Sequence, residues 1–455
     1  MRRLWHTPWR FLLILWTVVP LYFRYFRLWA KKRWFGRSTP PEVWSRVHTK
    51  SARAFYRLAV RMRGGLIKVG QIISTRVDIM PPEWVAELSK LQDEVDPQPW
   101  KVIRKRLTSE LGAPPDELFA EIEEEAVAAA SFGQVHRATL KDGRRVALKI
   151  QYEDIAMKLS CDLFVFRCAV PLFNVFVPKI RLRTIYEEVK KALTTELDYR
   201  QEAEYTRLVG ENLGEVPHIV VPRVVEEFTT EHVICTTYFE GFKITDAAKR
   251  EAAGIETLDL IQKLIRAYAH QFFVDGVFQS DPHPGNLLVR GGEEGAEVCI
   301  LDFGQVKVLP RGFQRKLVHA SVAFMGRDVD GFIRAVSKMG VLSERDVEIA
   351  RPIIQEFFDE MYEMTPTDLK DIDIEDMKEK IQSVIDRIEG IHIPQDIVLY
   401  GRAISLLSGV IAGLDSHVNG ILVAKPMIME ALMRPENFAP LEEDEGAEPQ
   451  AAAVA

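Results

Sequence analysis

Two acidic side chains and one amide hold the spacing most suited to chemistry. Asp281 and Asn286 stand five residues apart in FQSDPHPGNLLV, and Asp302 follows the apolar run VCIL in CILDFGQV. Carboxylate and amide oxygens are the hard donors that hold magnesium on a polyphosphate. The prolines and glycine of the first stretch restrict the backbone so that its polar groups point one way. Upstream, Lys149 closes the apolar run VALK, where a cation can meet phosphate oxygens.

Lysine, then Asp-x4-Asn, then an apolar run and Asp-Phe-Gly is the order found in kinases. In that order Asp281 orients the attacking hydroxyl or water. Asn286 and Asp302 hold Mg2+ on ATP or ADP, and Lys149 holds the α- and β-phosphates. Taken singly, Lys149 is an ordinary strand-end lysine and DFG a common tripeptide; the order carries the reading. A phosphate-gripping loop belongs just before the lysine strand. Its place is taken by Ala128, Ala129, Ala130 and Ser131, with Gly133 following. Methyl groups there stiffen the loop and alter its approach to phosphate. A carboxylate must pair with Lys149, and TTELDYRQEAEY offers Glu202 as first choice and Glu196 as second. No A-P-E follows DFG, so the usual platform for a protein substrate is not evident.

These residues need a strand-rich lobe and a helical lobe to position them. Residues 41–110 read as helical, broken at Gly64-Gly65 and Pro81-Pro82. The runs on either side of KDGR, Lys141 to Arg144, read as a hairpin. A helical stretch from about Arg181 to Leu213 follows. HIVVPRVVEEF and HVICTTYF then read as two strands, 256–275 as a helix, and nearly everything from Asp302 to Met433 as helical. Arg53, Arg57 and Arg61 recur on one helix face, either solvated or in contact with lipid headgroups. DLFVFRCAVPLFNVFVP, Asp162 to Pro178, is too apolar for a surface loop. Core packing is its first reading and lipid contact its second.

The 455 residues suffice for two or three packed units. Four scattered cysteines without a CxxC pair point away from disulfides or zinc and toward a reducing compartment. Residues 1–70 hold 16 Lys/Arg against one acid, Glu42, for a charge of +15. The whole chain carries −7, so the remainder carries −22. A basic arm of this kind seeks an anionic surface, and its apolar content favours membrane lipids over nucleic acid. Its uncharged core, Phe11 to Phe23, is 13 residues, roughly 20 Å as a helix against roughly 30 Å of hydrocarbon. Pro20 would kink it, and tryptophans and arginines flank it as at a membrane–water interface. An interfacial or short anchor is the first reading. A spanning helix and an arm docked on protein are the alternatives. The stretch from Leu441, LEEDEGAEPQAAAVA, reads as a disordered tail.

Four signatures together give the chain a family resemblance: KVGQ, Lys68 to Gln71; AAASFGQVH; ELDYRQEAE; and DPHPGN with DFG. It resembles the UbiB-type, aarF-domain-containing atypical kinases over roughly Ala54 to Met433. The resemblance implies an α+β, protein-kinase-like bilobal fold, with a strand-rich N-lobe, a helical C-lobe and an N-terminal helical KxGQ extension. The corresponding segments are a membrane-associating arm at 1–40, the extension at 41–120, the N-lobe at 121–241, the C-lobe at 242–436 and the tail at 437–455. It further implies a lid carrying Lys68 and Gln71 over the nucleotide, with Glu196 or Asp198 binding Lys68 or metal. The implied activity is ATPase-like, on Mg2+ and ATP or ADP, in support of prenylquinone or isoprenoid-lipid metabolism. The kinase-like domain would lie in the cytoplasm at the membrane. Partners would be membrane lipids through the arm, prenylquinone-biosynthesis proteins or a lipid substrate, and a second copy of the chain, with no nucleic acid. A lipid or small-molecule phosphotransferase and a nucleotide-sensing scaffold are the rival functions. The chain departs from the family pattern at Gln279-Ser280, where His-Ala is usual, at Tyr205, where Asn is common, and at Thr236-Thr237, where Met-Glu is frequent.

Overall fold

The computed structural model describes residues 6–36, 39–62, 64–74, 80–91, 97–176, 182–292, 295–363, 394–414, 420–438 and 441. Its contacts divide the chain into two units, 1–205 with 223–238, and 206–222 with 239–455.

In the first unit, helices α1 (His6–Phe35), α2 (Pro41–Met62), α3 (Gly65–Ser74), α4 (Pro82–Leu88), α5 (Trp100–Leu111) and the single turn α6 (Pro115–Leu118) precede the sheet. Prolines 81, 99 and 114 immediately precede α4, α5 and α6, and Gly112 ends α5 with φ 77°. A proline ahead of a first turn forfeits no intrahelical bond, and a left-handed glycine closes a last one. The sheet is antiparallel: β1 (Phe119–Ile122), β3 (Gly133–Leu140), β4 (Arg145–Gln151) and β6 (Val233–Thr237) in that order, with β2 (Ala128–Ala129) also on β3. The KDGR turn joins β3 to β4 through Gly143, at φ 88°, while Asp142 accepts from the Arg144 backbone N–H. Val146, Leu148 and Ile150 alternate into a core shared with Ile103 and Leu107 of α5. That period of two sends Lys149 to the other face. Three helices, α7 (Ile155–Asn174), α8 (Leu182–Thr195) and α9 (Tyr199–Asn212), follow β4.

The second unit holds two small sheets. One runs β5 (Ile219–Val220), β10 (Gly295–Ile300), β9 (Leu287–Gly292), β7 (Phe242–Lys243); the other pairs β8 (Val277–Gln279) with β11 (Val306–Val308). Helices α10 (Ala247–Ala252) and α11 (Thr257–Ala269) come before β8, and α11 continues into a π-helical turn, His270–Asp275. After β11 come α12 (Arg311–Met325), α13 (Val329–Lys338) and α14 (Glu344–Glu363), then α15 (Gln395–Gly413), α16 (Gly420–Met433) and α17 (Pro435–Phe438).

Three expectations change. The arm's helix does not stop at its 13-residue apolar core. It runs through Pro20 for 30 residues, about 45 Å, because the basic, aromatic flanks also form helix. By length and composition alone, Trp9–Phe35 and Asp396–Gly413 each suffice to cross a membrane. HIVVPRVVEEF forms only the two-residue β5, a bridge at Val224 and a 3-10 turn at Glu226–Phe228, since Pro222 has no N–H to extend a ladder. The helix expected from Arg181 to Leu213 breaks between Thr195 and Tyr199. The acidic tail beyond Leu441 and the stretch 364–393 lie outside the described residues.

Burial pushes the Asp275 carboxyl up to about 7, with Arg434 opposing and Glu430 adding to the shift. Its Oδ2 has no hydrogen-bond partner. The folded protein therefore holds a proton that the unfolded chain releases near its ordinary value of 3.8. Stability drains as pH rises from about 4 through 7. Asp275→Asn removes that loss, so its melting temperature relative to the parent should climb between pH 4 and pH 8. A constant difference across that range, measured by calorimetry, would contradict the assignment.

Candidate functional site

In the first unit the site is built on Lys149. Its cross-strand neighbours are Val135 and Ile234. Tyr199 and Ala203, one helical turn apart on α9, pack against Ile234. That seats the first turn of α9 on the lysine's face of the sheet. Glu202, three residues after Tyr199, then meets Lys149 Nζ with both carboxylate oxygens, at 2.7 and 2.9 Å. The ammonium also lies 5.2 Å from the Tyr199 ring centroid. Glu202 is buried, and such a carboxylate needs a cation and further donors. Of the two carboxylates weighed from the sequence, the first choice makes this contact.

The alanine-rich stretch is less of a loop than its composition suggests. Ala128 and Ala129 are paired in β2 opposite Val135 and Gln134. Ala130 closes a tight turn by donating to the Gly133 carbonyl at 2.8 Å, Ser131 is buried, and Phe132 enters the core. Gly133 has no room for a side chain: a Cβ would stand 2.5 Å from the Ile150 carbonyl oxygen and 2.8 Å from the Tyr199 hydroxyl. Gln134 and His136, in the same signature, are scaffold. Gln134 bonds the N–H and carbonyl of Gln98, at 2.7 and 3.2 Å, and also His136.

KVGQ divides its work between residues. Lys68 is buried and pairs with Glu196 at 2.8 Å. Gly70 lets α3 pack closely, since a Cβ there would lie 2.2 Å from Leu91 Cδ1. Gln71 donates to the Leu91 carbonyl at 3.3 Å. Asp198 does not serve Lys68. Its carboxylate accepts from the Arg200 N–H, turning the chain into α9.

In the second unit one hairpin, β9–β10, and one antiparallel strand pair, β8–β11, do the positioning. Leu287 pairs with Ile300, and the Leu301 N–H continues the ladder to the Asn286 carbonyl at 2.8 Å. Asn286 and Asp302 thus flank the same end of the β9–β10 hairpin. Gln279 pairs with Val306, and the Ser280 N–H reaches the Gln305 carbonyl, which brings Asp281 beside the DFG turn. Between them DPHPGN forms a 3-10 turn capped by His283, whose Nδ1 accepts from Gly285. Asp302 has φ 59°, a left-handed backbone that costs an ordinary side chain about 1 kcal/mol or more and Asp rather less. Gln279 holds it there by donating to the carbonyls of Leu301 and Asp302, at 2.6 and 2.7 Å. Gln279 is itself fixed by the Tyr268 hydroxyl and by Gln271, which accepts from its N–H. Gln279 is therefore a buried amide that ties down the backbone of DFG.

Arg402 joins this end of the site from far downstream in the chain. From α15 it sits 3.3 Å from Asp281 and 3.3 Å from Gln305. An arginine 121 residues downstream on an apolar helix gives no signal of this contact in the sequence. Among the described residues no group of three or more His, Cys, Asp or Glu is assembled as a metal site. One carboxylate and one amide oxygen fit magnesium, which takes few protein ligands and completes its shell with water and phosphate oxygens.

A family model described as the ABC1 atypical kinase-like domain matches residues 90–336. The chain belongs to the ABC1 atypical kinase-like family. Its UbiB-type resemblance and kinase-like α+β fold stand on that match. A Synechocystis relative, the uncharacterized protein sll0095, is 30% identical over 432 residues, covering 92% of this chain and 73% of its own. AarF domain-containing protein kinase 1 of mouse is 30% identical over 298 residues, covering 65% of this chain and 57% of its own. Across curated relatives the chain spans between 53% and 75% of their length. A Mycobacterium tuberculosis structure, Rv3197 with erythromycin, aligns at TM-score 0.56 and 24% identity, over 88% of this chain and 99% of that one. That likeness bears on the fold.

The Lys68–Glu196 pair is testable on its own. A double-mutant cycle of Lys68→Ala with Glu196→Ala should give a coupling of about 1 to 3 kcal/mol in chemical unfolding, the range for partners in contact. The same cycle with Asp198→Ala should give none. Zero coupling for both would make KVGQ an ordinary helix.

Proposed function

We propose that this protein is a membrane-associated kinase-like ATPase that binds Mg2+ with ATP or ADP. Lys149 neutralises the α- and β-phosphates, with Glu202 orienting its ammonium. Asp281 positions the nucleophile, and Asn286 and Asp302 supply the oxygens for magnesium. When bound, the metal would offset phosphate charge as it builds up in transfer. The observation that carries the reading is the preorganised DFG end: a left-handed Asp302 held by two Gln279 bonds, with Asn286 registered beside it. Backbone strain maintained by buried hydrogen bonds is a mark of functional positions. The alanine-rich stretch Ala128–Ser131 would meet phosphate with a stiffer backbone than a glycine loop. Lys68 and Gln71 would form the lid.

Support for a role in prenylquinone or isoprenoid-lipid metabolism is the family resemblance carried by the four motifs. The basic, aromatic arm supports attachment to the cytoplasmic face of a membrane.

Asp302→Asn should leave the fold intact, since Asn tolerates the left-handed backbone, and lower magnesium-dependent ATP turnover by about 100-fold or more. Wild-type turnover in the folded variant would remove Asp302 from the site. Phosphate release measured with and without lipid acceptors separates hydrolysis from transfer. Trp16→Glu with Phe23→Glu, both exposed on the arm's helix, should release the protein from anionic vesicles; equal sedimentation of both forms would refute arm-mediated binding.

A further inference from the structure

Helix α1 has two faces. Arg10, Ile14, Leu21, Tyr25 and Leu28 are buried, whereas Trp9, Leu12, Trp16, Val19 and Phe23 form an exposed stripe at intervals of three and four. Trp16, in the middle of that stripe, is 82% exposed. Helix α7 repeats the pattern. Asp162, Val165 and Val170 are buried, and Phe164, Cys168, Leu172 and Val175 point outward along one face. The stripes adjoin at both ends. Phe11, next to exposed Leu12, lies 6.4 Å from exposed Phe164. Tyr22, next to exposed Phe23, lies 5.9 and 5.0 Å from Phe173 and Phe176.

The contacts rise together along the two helices, 11 with 164 and 22 with 173, so α1 and α7 run parallel in one plane. A buried ion pair pins them. Arg10 donates to both oxygens of Asp162, at 2.6 and 2.5 Å, and to the Met62 carbonyl at 2.8 Å. Drawing α1 away to cross a bilayer would strand Asp162, which is 2% exposed, without its counter-ion. Such a contiguous apolar surface needs a cover. Past the α1 stripe come Arg24, Arg27, Lys31, Lys32 and Arg33, with no acid anywhere in α1. That juxtaposition complements acyl chains beside anionic headgroups.

We propose that α1 and α7 together form one in-plane lipid-binding face, on which α1 lies in the headgroup–acyl boundary without crossing the bilayer. The inference rests on the membrane attachment proposed above and extends it to a second helix, the apolar stretch whose role the sequence left between core and lipid. The face is therefore mixed: its inner stripes are core, and its outer stripes are wetted by lipid.

The experiment uses the full chain and vesicles of phosphatidylcholine with or without phosphatidylglycerol. A membrane-impermeant maleimide reports on Cys168; Cys168→Ser identifies its share of the labelling. Anionic vesicles should bind the protein and slow Cys168 labelling at least about tenfold. Phe164→Asp with Leu172→Asp, both outward-facing on α7, should weaken vesicle binding at least about tenfold with the arm intact and thermal unfolding unchanged. Vesicle binding with undiminished Cys168 labelling and no effect of the α7 variant would overturn the proposal, leaving α1 as sole anchor. Protection of Cys168 without vesicles, growing with protein concentration, would also overturn it and assign the face to a second copy. No vesicle binding by the parent would instead bring down the membrane attachment itself.

Discussion

The first unit is organised around a buried carboxylate that must be matched by an ammonium. Glu202 and Lys149 are 53 residues apart in sequence, and their contact fixes where α9 starts and which face of the sheet it covers. Tyr199 seals the arrangement by packing on Ile234 under the ammonium, and Gly133 stays bare because Tyr199 and the Ile150 carbonyl occupy its Cβ space. The alanine-rich turn, the lysine strand and the QEAE helix are thus one mechanical piece. Changing any of them moves the charge that the rest is arranged to hold.

The second unit solves a different problem, bringing three polar groups to the ends of a hairpin and an adjoining strand pair. Hairpin register does most of it, because a pair at Leu287 and Ile300 leaves no freedom in where Asn286 and Asp302 fall. The remaining freedom, the unusual backbone at Asp302, is taken up by Gln279. An amide suits that place because it donates twice to two carbonyls and still accepts from Tyr268.

Much of this could be read from residue order. The β3–β4 hairpin followed from Asp-Gly between alternating runs, the helix breaks from paired glycines and prolines, and the choice of Glu202 from its place in the motif. Other parts depend on packing that no local pattern encodes. Nothing near Arg402 announces Asp281, and nothing near Arg10 announces Asp162, since each pair joins residues more than a hundred positions apart. The length of the uncharged run does not set the length of the arm's helix, since helix formation tolerates arginine and lysine well. HIVVPRVVEEF misled in the opposite direction: β-branched composition suggested a strand that Pro222 cuts short.

The threading of the chain has its own consequence. It leaves the first unit after Tyr205, supplies β5 to the second, returns for β6, and leaves again after Tyr238. During synthesis, β5 therefore emerges before the first unit's sheet has its last strand, and waits some 75 residues for β10, its parallel partner. Neither unit can be completed from one uninterrupted stretch of nascent chain. A fragment ending anywhere between 206 and 232 lacks β6 and leaves the edge of β4 bare, the kind of open strand edge on which aggregation begins.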